Sequence, residues 1–166
     1  HSNGRIRNFL EKHSDIENII SEEDKQVPFE ERSKWDYYWL IDPIDGTKEF
    51  IKGGDDFCVN IALCKDHEPI FGYVACPKKQ DQYHAIKGCG AFKNKERIYS
   101  KYSINPYGKK IKIVASKSHM NEATANFIEK VERHYQVETL NIGSSLKFCI
   151  IAEGGADVYP RFGPTM

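Results

Sequence analysis

Apolar positions recur at helical spacing from the start of the chain, where Ile6, Phe9 and Leu10 fall on one face of residues 1–13. The stripe has no cap or lead-in, so it reads as the tail of a longer helix. Ile19-Ile20 is a short apolar strand that passes into Ser21-Glu22-Glu23-Asp24 and then a polar, mobile loop containing Pro28. From Tyr37 onward the pattern changes. Strand-like runs at 37–41, 57–63, 70–75 and 82–86 are separated by Asp-Gly, Gly-Gly, Asp-His and Lys-Gly turns, which predicts closely spaced strands of an antiparallel sheet. Residues 111–115 form another strand and feed a helix with Met120, Ala123, Phe127, Val131 and Tyr135 on one face. A strand at 137–142, a helix at 144–153 that is apolar on nearly all sides, and a last strand at 156–161 complete the pattern. Strands first and alternating strands and helices afterwards predict an α+β fold of layered helices and sheets. Residues 1–110 form its α+β portion with the antiparallel sheet, and 111–166 begin an α/β portion.

Composition narrows the class without naming a function. Of 166 residues, 40% are hydrophobic, 12% aromatic and 29% charged, which excludes a disordered or collagen-like chain. Twenty-four basic residues balance twenty-four acidic ones, which argues against a nucleic-acid polymer or a membrane surface as partner. The apolar run at 148–152 is far too short to span a bilayer, and no signal peptide is evident, so the expected location is cytoplasmic, at most peripheral to the inner face of the membrane. Cys58, Cys64, Cys76, Cys89 and Cys149 are odd in number and scattered, which speaks against a disulfide framework or structural zinc. Four of them sit among apolar residues and read as small buried hydrophobes in a reducing compartment.

The candidate chemistry lies in 39–50, Trp-Leu-Ile-Asp-Pro-Ile-Asp-Gly-Thr-Lys-Glu-Phe. A buried strand ends at Asp42, Pro43 stiffens the exit, and Asp45-Gly46 forces a tight reversal, so two carboxylates three residues apart can converge. The carbonyl of Ile44 can turn the same way. Two carboxylates and a carbonyl form the hard oxygen set that Mg²⁺ prefers. Thr47 brings a hydroxyl able to orient a water, and Glu22-Glu23 forms a second acidic cluster behind its own strand; otherwise Asp45-Gly46 is an ordinary turn and Glu22-Glu23-Asp24 a solvated charge run. At 142–148 a strand turns through Gly143 into a helix whose first turn carries Ser144 and Ser145, with Lys147 nearby, an arrangement suited to an anion or to plain N-capping by Ser144. Arg161, in Tyr-Pro-Arg-Phe-Gly-Pro-Thr, can fork onto a phosphate or make a surface ion pair.

Together, the acidic pair after Ile20-Ser21 and the Asp-Pro-Ile-Asp-Gly-Thr turn resemble the lithium-sensitive, Mg²⁺-dependent phosphatase superfamily that includes inositol monophosphatase. Lys48-Glu49-Phe50, Gly143-Ser144-Ser145-Leu146-Lys147-Phe148 and the segment 159–165 resemble its 3′(2′),5′-bisphosphate nucleotidase branch, and Gly88-Cys89-Gly90-Ala91-Phe92 is similar to a family hairpin. The resemblance implies a layered αβαβα sugar-phosphatase-like fold, incomplete at both termini, and at least two Mg²⁺ ions in the complete enzyme. It makes Glu22 and the Ile44 carbonyl ligands of a first metal, Asp42 a bridge, and Asp45 a ligand of a second. Thr47 helps activate the attacking water, Asp45 shares the catalytic role, and the Gly46 and Thr47 amides hold the scissile phosphate. Glu22, Ile44, Asp45, Gly46, Thr47, Ser144, Ser145, Lys147 and Arg161 then form the substrate-binding set. The implied reaction is direct in-line displacement, with no phospho-enzyme and no Cys or His nucleophile. The family's Trp-Asp motif is expected beyond Met166, so the 166-residue chain alone is expected to be nearly inactive.

The leading reading is hydrolysis of the 3′-phosphate of adenosine 3′,5′-bisphosphate to AMP and phosphate, which belongs to sulfur metabolism. A small phosphorylated nucleotide is then the partner, and the sequence leaves the oligomeric state open. An inositol monophosphatase or related sugar phosphatase is the alternative enzyme, because the metal turn is shared across the superfamily. A non-catalytic metal- or phosphate-binding remnant is the alternative of another class.

Overall fold

The computed structural model describes residues 2–100, 110–117 and 120–163. The chain divides into two units, His1–Arg97 and Ile98–Met166.

The first unit opens with helix α1 (Ser2–His13), whose Leu10 packs with Ile19 and Ile41, while Ile6 and Trp39 close the edge of that cluster. Strand β1 (Ile19–Ser21), the single helical turn α2 (Phe29–Arg32) and strand β2 (Tyr37–Asp45) follow. β1 runs parallel to β2, with Ile19 beside Trp39 and Ser21 beside Ile41. The sheet is therefore mixed where a purely antiparallel one was expected. Residues 22–36 are long enough for the crossover that a parallel pair requires, and α2 occupies part of the stretch read as a mobile loop.

After the short helix α3 (Thr47–Ile51) come β3 (Cys58–Lys65), β4 (Glu68–Cys76), β5 (Asp81–Ile86), β6 (Gly90–Lys93) and β7 (Glu96–Ile98). The strands stand side by side in chain order. Lys65 pairs with Glu68, leaving Asp66 and His67 as a two-residue loop with φ of 48° and 65°. That is the left-handed pair a type I′ hairpin turn needs, and Asn94 and Lys95 repeat it between β6 and β7.

The second unit pairs β8 (Lys110–Ser116) with β9 (Gln136–Ile142) in parallel, joined through helix α4 (Glu122–Glu132). Ile113, Val114 and Ala115 are fully buried, and Ile113 and Ala115 pack with Ile128, flanked by Phe127 and Val131. The buried face of α4 is Thr124 and Ile128; Met120 and Ala123, assigned to it by spacing, are exposed, because the stripe that meets β8 lies one position further along. Asn121 caps α4, its side-chain oxygen accepting from the Thr124 N–H at 2.9 Å. Asn121→Ala is expected to cost about 1 kcal/mol, read as a lower midpoint for α4 in thermal unfolding followed by amide exchange.

Helix α5 (Leu146–Ala152) starts two residues later than the spacing suggested. The expected last strand, 156–161, is reduced to an isolated parallel bridge between Ile113 and Val158. The Val114 N–H donates to the Val158 carbonyl, but Pro160 has no N–H with which to extend the ladder.

Candidate metal centre

The acidic turn owes its geometry to an irregularity in β2. Register runs without a break to Asp42 opposite Asn60 and resumes with Asp45 opposite Cys58, so one extra residue of β2 is taken up at Pro43-Ile44. In a regular strand, residues three apart point to opposite faces; one bulged residue restores them to the same side. Proline is tolerated at such a position because no ladder hydrogen bond is asked of it. The strand therefore continues through Pro43 to Asp45, where the sequence suggested that it ended at Asp42.

Local hydrogen bonds fix the bulge. The Ile44 N–H donates to Asp42 Oδ1 at 3.1 Å, and Asn60 Nδ2 donates to Asp45 Oδ2 at 3.3 Å. Asn60 thus joins the two acids, opposite one in register and bonded to the other. Nothing in the local sequence marked it, because its role depends on how β2 and β3 align.

Gly46 follows at φ +86°, in the left-handed region where a side chain is strained, and the chain enters α3 instead of making the expected tight reversal. Thr47 is the first helical residue, and its hydroxyl donates to the Ile44 carbonyl at 3.1 Å. A carbonyl oxygen has two lone pairs, so this bond leaves one for a cation. The Gly46 and Thr47 amides precede the first bonds of α3, where the Glu49 N–H donates to Gly46 O at 2.9 Å.

Glu22 is brought to the same place by the parallel pairing of β1. Its N–H donates to the Ile41 carbonyl at 3.1 Å, setting it beside the end of β2. The turn after β1 is held from α1: Ser21 Oγ donates to Asn3 Oδ1 at 3.0 Å, Asn3 Nδ2 donates to Asp24 Oδ1 at 2.9 Å, and Arg7 pairs with Asp24. Ser2 Oγ reaches the Pro43 carbonyl at 3.3 Å. The polar face of α1 therefore supports both acidic segments, a role that the apolar-stripe reading of residues 1–13 missed. Glu22, Asp42 and Asn60 line a hollow of about 360 Å³ whose apolar floor includes Ile20, Leu40, Ala62 and Val74.

The electrostatics record crowding of negative charge. Burial pushes the Asp42 carboxyl up from an ordinary 3.8 to about 7, and Glu22 and Asp45 push it the same way. Among the described residues no three His, Cys, Asp or Glu side chains stand at metal-binding spacing. The donor types nonetheless fit a hard divalent cation: Glu22, Asp42 and Asp45 supply carboxyl oxygens and Ile44 a carbonyl with a spare lone pair, an oxygen set short of positive charge.

A carboxyl with a raised folded pKa keeps its proton where the unfolded chain has lost it. Stability from this source is fully present below about 4 and falls as pH rises toward about 7. Asp42 is only partly buried, so solvent screens part of the effect and leaves on the order of 1 kcal/mol. Asp42→Asn is therefore expected to raise the melting temperature of the metal-free protein at pH 8 and to leave it nearly unchanged at pH 4. Equal shifts at both pH values would contradict this account.

The remaining candidates lie in the second unit. Ser144 has a φ of 50°, and its Oγ accepts from the Leu146 N–H at 3.3 Å. Ser145 occupies the cap position without a side-chain cap bond. Lys147 is buried at 6% exposure, its Nζ donating to the Ser144 carbonyl and lying 5.6 Å from the centre of the Tyr159 ring. Arg161 is exposed and donates to the Tyr159 hydroxyl at 3.3 Å. The structure thus gathers Glu22, Asp42, Ile44, Asp45, Gly46 and Thr47 in one unit and Ser144, Ser145, Lys147 and Arg161 in the other. Among the described residues, no helix is long and apolar enough to cross a membrane.

Comparison with known proteins gives a consistent pattern. The model of the inositol monophosphatase family matches residues 2–166. A 3′(2′),5′-bisphosphate nucleotidase CysQ from Salmonella typhimurium is 41% identical over 147 residues, covering 89% of this chain and 57% of the relative. The Buchnera aphidicola CysQ is 44% identical over 148 residues, covering 89% of this chain and 54% of the relative. The crystal structure of CysQ from Bacteroides thetaiotaomicron superposes with a TM-score of 0.85 at 34% identity, over 99% of this chain and 67% of that one. The chain thus spans little more than half the length of the curated relatives it matches.

Proposed function

We propose that this chain, which belongs to the inositol monophosphatase family, carries the cation-holding part of a Mg²⁺-dependent phosphatase. The substrate is adenosine 3′,5′-bisphosphate, and the products are AMP and inorganic phosphate. The observation that carries the reading is the β2 bulge, which puts Asp42 and Asp45 on one side of the strand, with Glu22 set beside the end of β2 by its bond to the Ile41 carbonyl. Similarity to bisphosphate nucleotidases at 41–44% identity supports the nucleotide over an inositol phosphate.

Glu22, Asp42, Asp45 and the Ile44 carbonyl are the groups that would hold the cation. Bound there, it supplies positive charge that acidifies a water and offsets charge on the phosphate oxygens. The remaining steps belong to the chain's own groups. The Thr47 hydroxyl, held on the Ile44 carbonyl, orients the attacking water, and the Gly46 and Thr47 amides donate to the phosphate oxygens at the start of α3. Asn60 keeps the Asp45 carboxylate turned toward Asp42. Arg161 and the Ser144-Ser145 turn are assigned to the rest of the substrate, and Lys147 acts by holding the Ser144 carbonyl.

The test is a competition between adenosine 3′,5′-bisphosphate and inositol 1-phosphate with Mg²⁺, using the chain extended to the length of its relatives. Phosphate release from the nucleotide is expected to dominate. Preference for the inositol ester would overturn the nucleotide assignment and leave the cation site standing.

A further inference from the structure

The site end of β3 and β4 carries a feature that phosphate hydrolysis does not use. Cys58 and Cys76 are fully buried thiols with sulfur atoms 3.2 Å apart. Cys58 is the first residue of β3 and Cys76 the last of β4. Val59 pairs with Ala75, and one more step in that register puts Cys58 opposite Cys76. Directly opposed residues of an antiparallel pair have Cα atoms about 4.5–5.5 Å apart, within the range of about 4.4–6.8 Å that a disulfide bridges, so closure needs sulfur movement and little from the backbone. On its other edge β3 pairs Cys58 with Asp45, one of the three acids of the candidate metal centre.

We propose that Cys58 and Cys76 form a reversible cross-strand redox pair that peroxide closes to a disulfide, stapling β3 to β4 beside Asp45. One thiol, as thiolate, attacks a peroxide oxygen: an S–O bond forms, the O–O bond breaks and one water leaves. The second thiol then attacks that sulfur, the S–S bond forms, the S–O bond breaks, and the hydroxyl leaves as a second water with the remaining thiol proton. Peroxide takes the two electrons, and a dithiol reductant returns them. Both sulfurs are closed off in the folded state, so reaction proceeds through opening of the strand ends, which are the parts of a sheet that open at least cost. Pro77, directly after Cys76, lacks the N–H that would extend β4. The ion pair of Asp56 and Lys79, at 3.1 Å, joins the segments flanking the two cysteines and returns them to register.

The test uses the chain as it stands, with Cys89→Ser to remove an exposed thiol. After graded hydrogen peroxide, unreacted thiols are alkylated in denaturant and the peptides mapped by mass. The expected result is loss of two thiols together and one cross-linked peptide pair joining Cys58 to Cys76, restored by dithiothreitol. With Cys76→Ser added, Cys58 is expected to stop at the sulfenic acid and be trapped by a 1,3-diketone. Amide exchange at 44–47 is expected to slow severalfold in the oxidised protein, because the bridge holds the strand end that Asp45 pairs with. Linkage through Cys64 or Cys149, or loss of thiols only once the protein unfolds, overturns the redox pair. A Cys58–Cys76 bridge with unchanged exchange at 44–47 overturns its coupling to Asp45.

Discussion

Asp45→Asn is expected to abolish the proposed Mg²⁺-dependent phosphate release from the chain extended to its relatives' length while leaving the fold intact. The substitution keeps the size of the side chain, and Asn60 still has an oxygen to donate to, so the bulge between Asp42 and Asp45 keeps its hydrogen-bonded frame. What is lost is one of three charges whose crowding is visible at Asp42. Removing groups that only orient a metal ligand already costs about 10–100-fold in affinity or activity, so loss of a ligand should cost about a hundredfold or more in kcat. Mn²⁺ titration followed by thermal shift separates the effects: an unchanged metal-free melting temperature with a weakened cation response is the expected pair of results. Activity within about tenfold of the parent would take Asp45 out of the metal centre.

The candidate acids were legible because their chemistry is local. Asp42, Ile44, Asp45 and Thr47 lie within one short segment, and Pro43 and Gly46 announce unusual backbone at the points where the structure has a bulge and a left-handed residue. What the sequence did not disclose depends on partners distant along the chain. Asn60 became visible only once β2 and β3 were aligned, and Asn3 and Arg7 only once α1 lay against the turn after β1. The parallel pairing of β1 was hidden for the same reason, since a three-residue strand carries no mark of direction. Residues 156–161 were expected to form a last strand, but pairing is limited to the bridge at Val158. Strand-like sequence is a statement about side-chain faces, whereas a strand also requires a neighbouring ladder.

Gly46→Ala should separate the position of the Thr47 hydroxyl from the binding of the cation. Gly46 sits at φ +86° between Asp45 and the first residue of α3, so an added Cβ costs about 1–2 kcal/mol in that conformation or drives the backbone out of it. If the backbone yields, the movement falls on Thr47, whose hydroxyl is held at 3.1 Å from the Ile44 carbonyl by that turn. Displacement of a catalytic group by about 1 Å can cost about a hundredfold in rate. Glu22 and Asp42 precede the turn and are held by β1, β2 and α1, so they should be disturbed far less. The expected result is a kcat lowered by roughly a hundredfold, a lower melting temperature, and Mn²⁺ affinity close to that of the parent. Thr47→Ser in the Gly46 parent should retain most activity, because it keeps the hydroxyl on an unstrained turn. If Gly46→Ala instead lost cation affinity and kcat in parallel, the turn would be holding the ligands themselves, and the separate role given to Thr47 would fall.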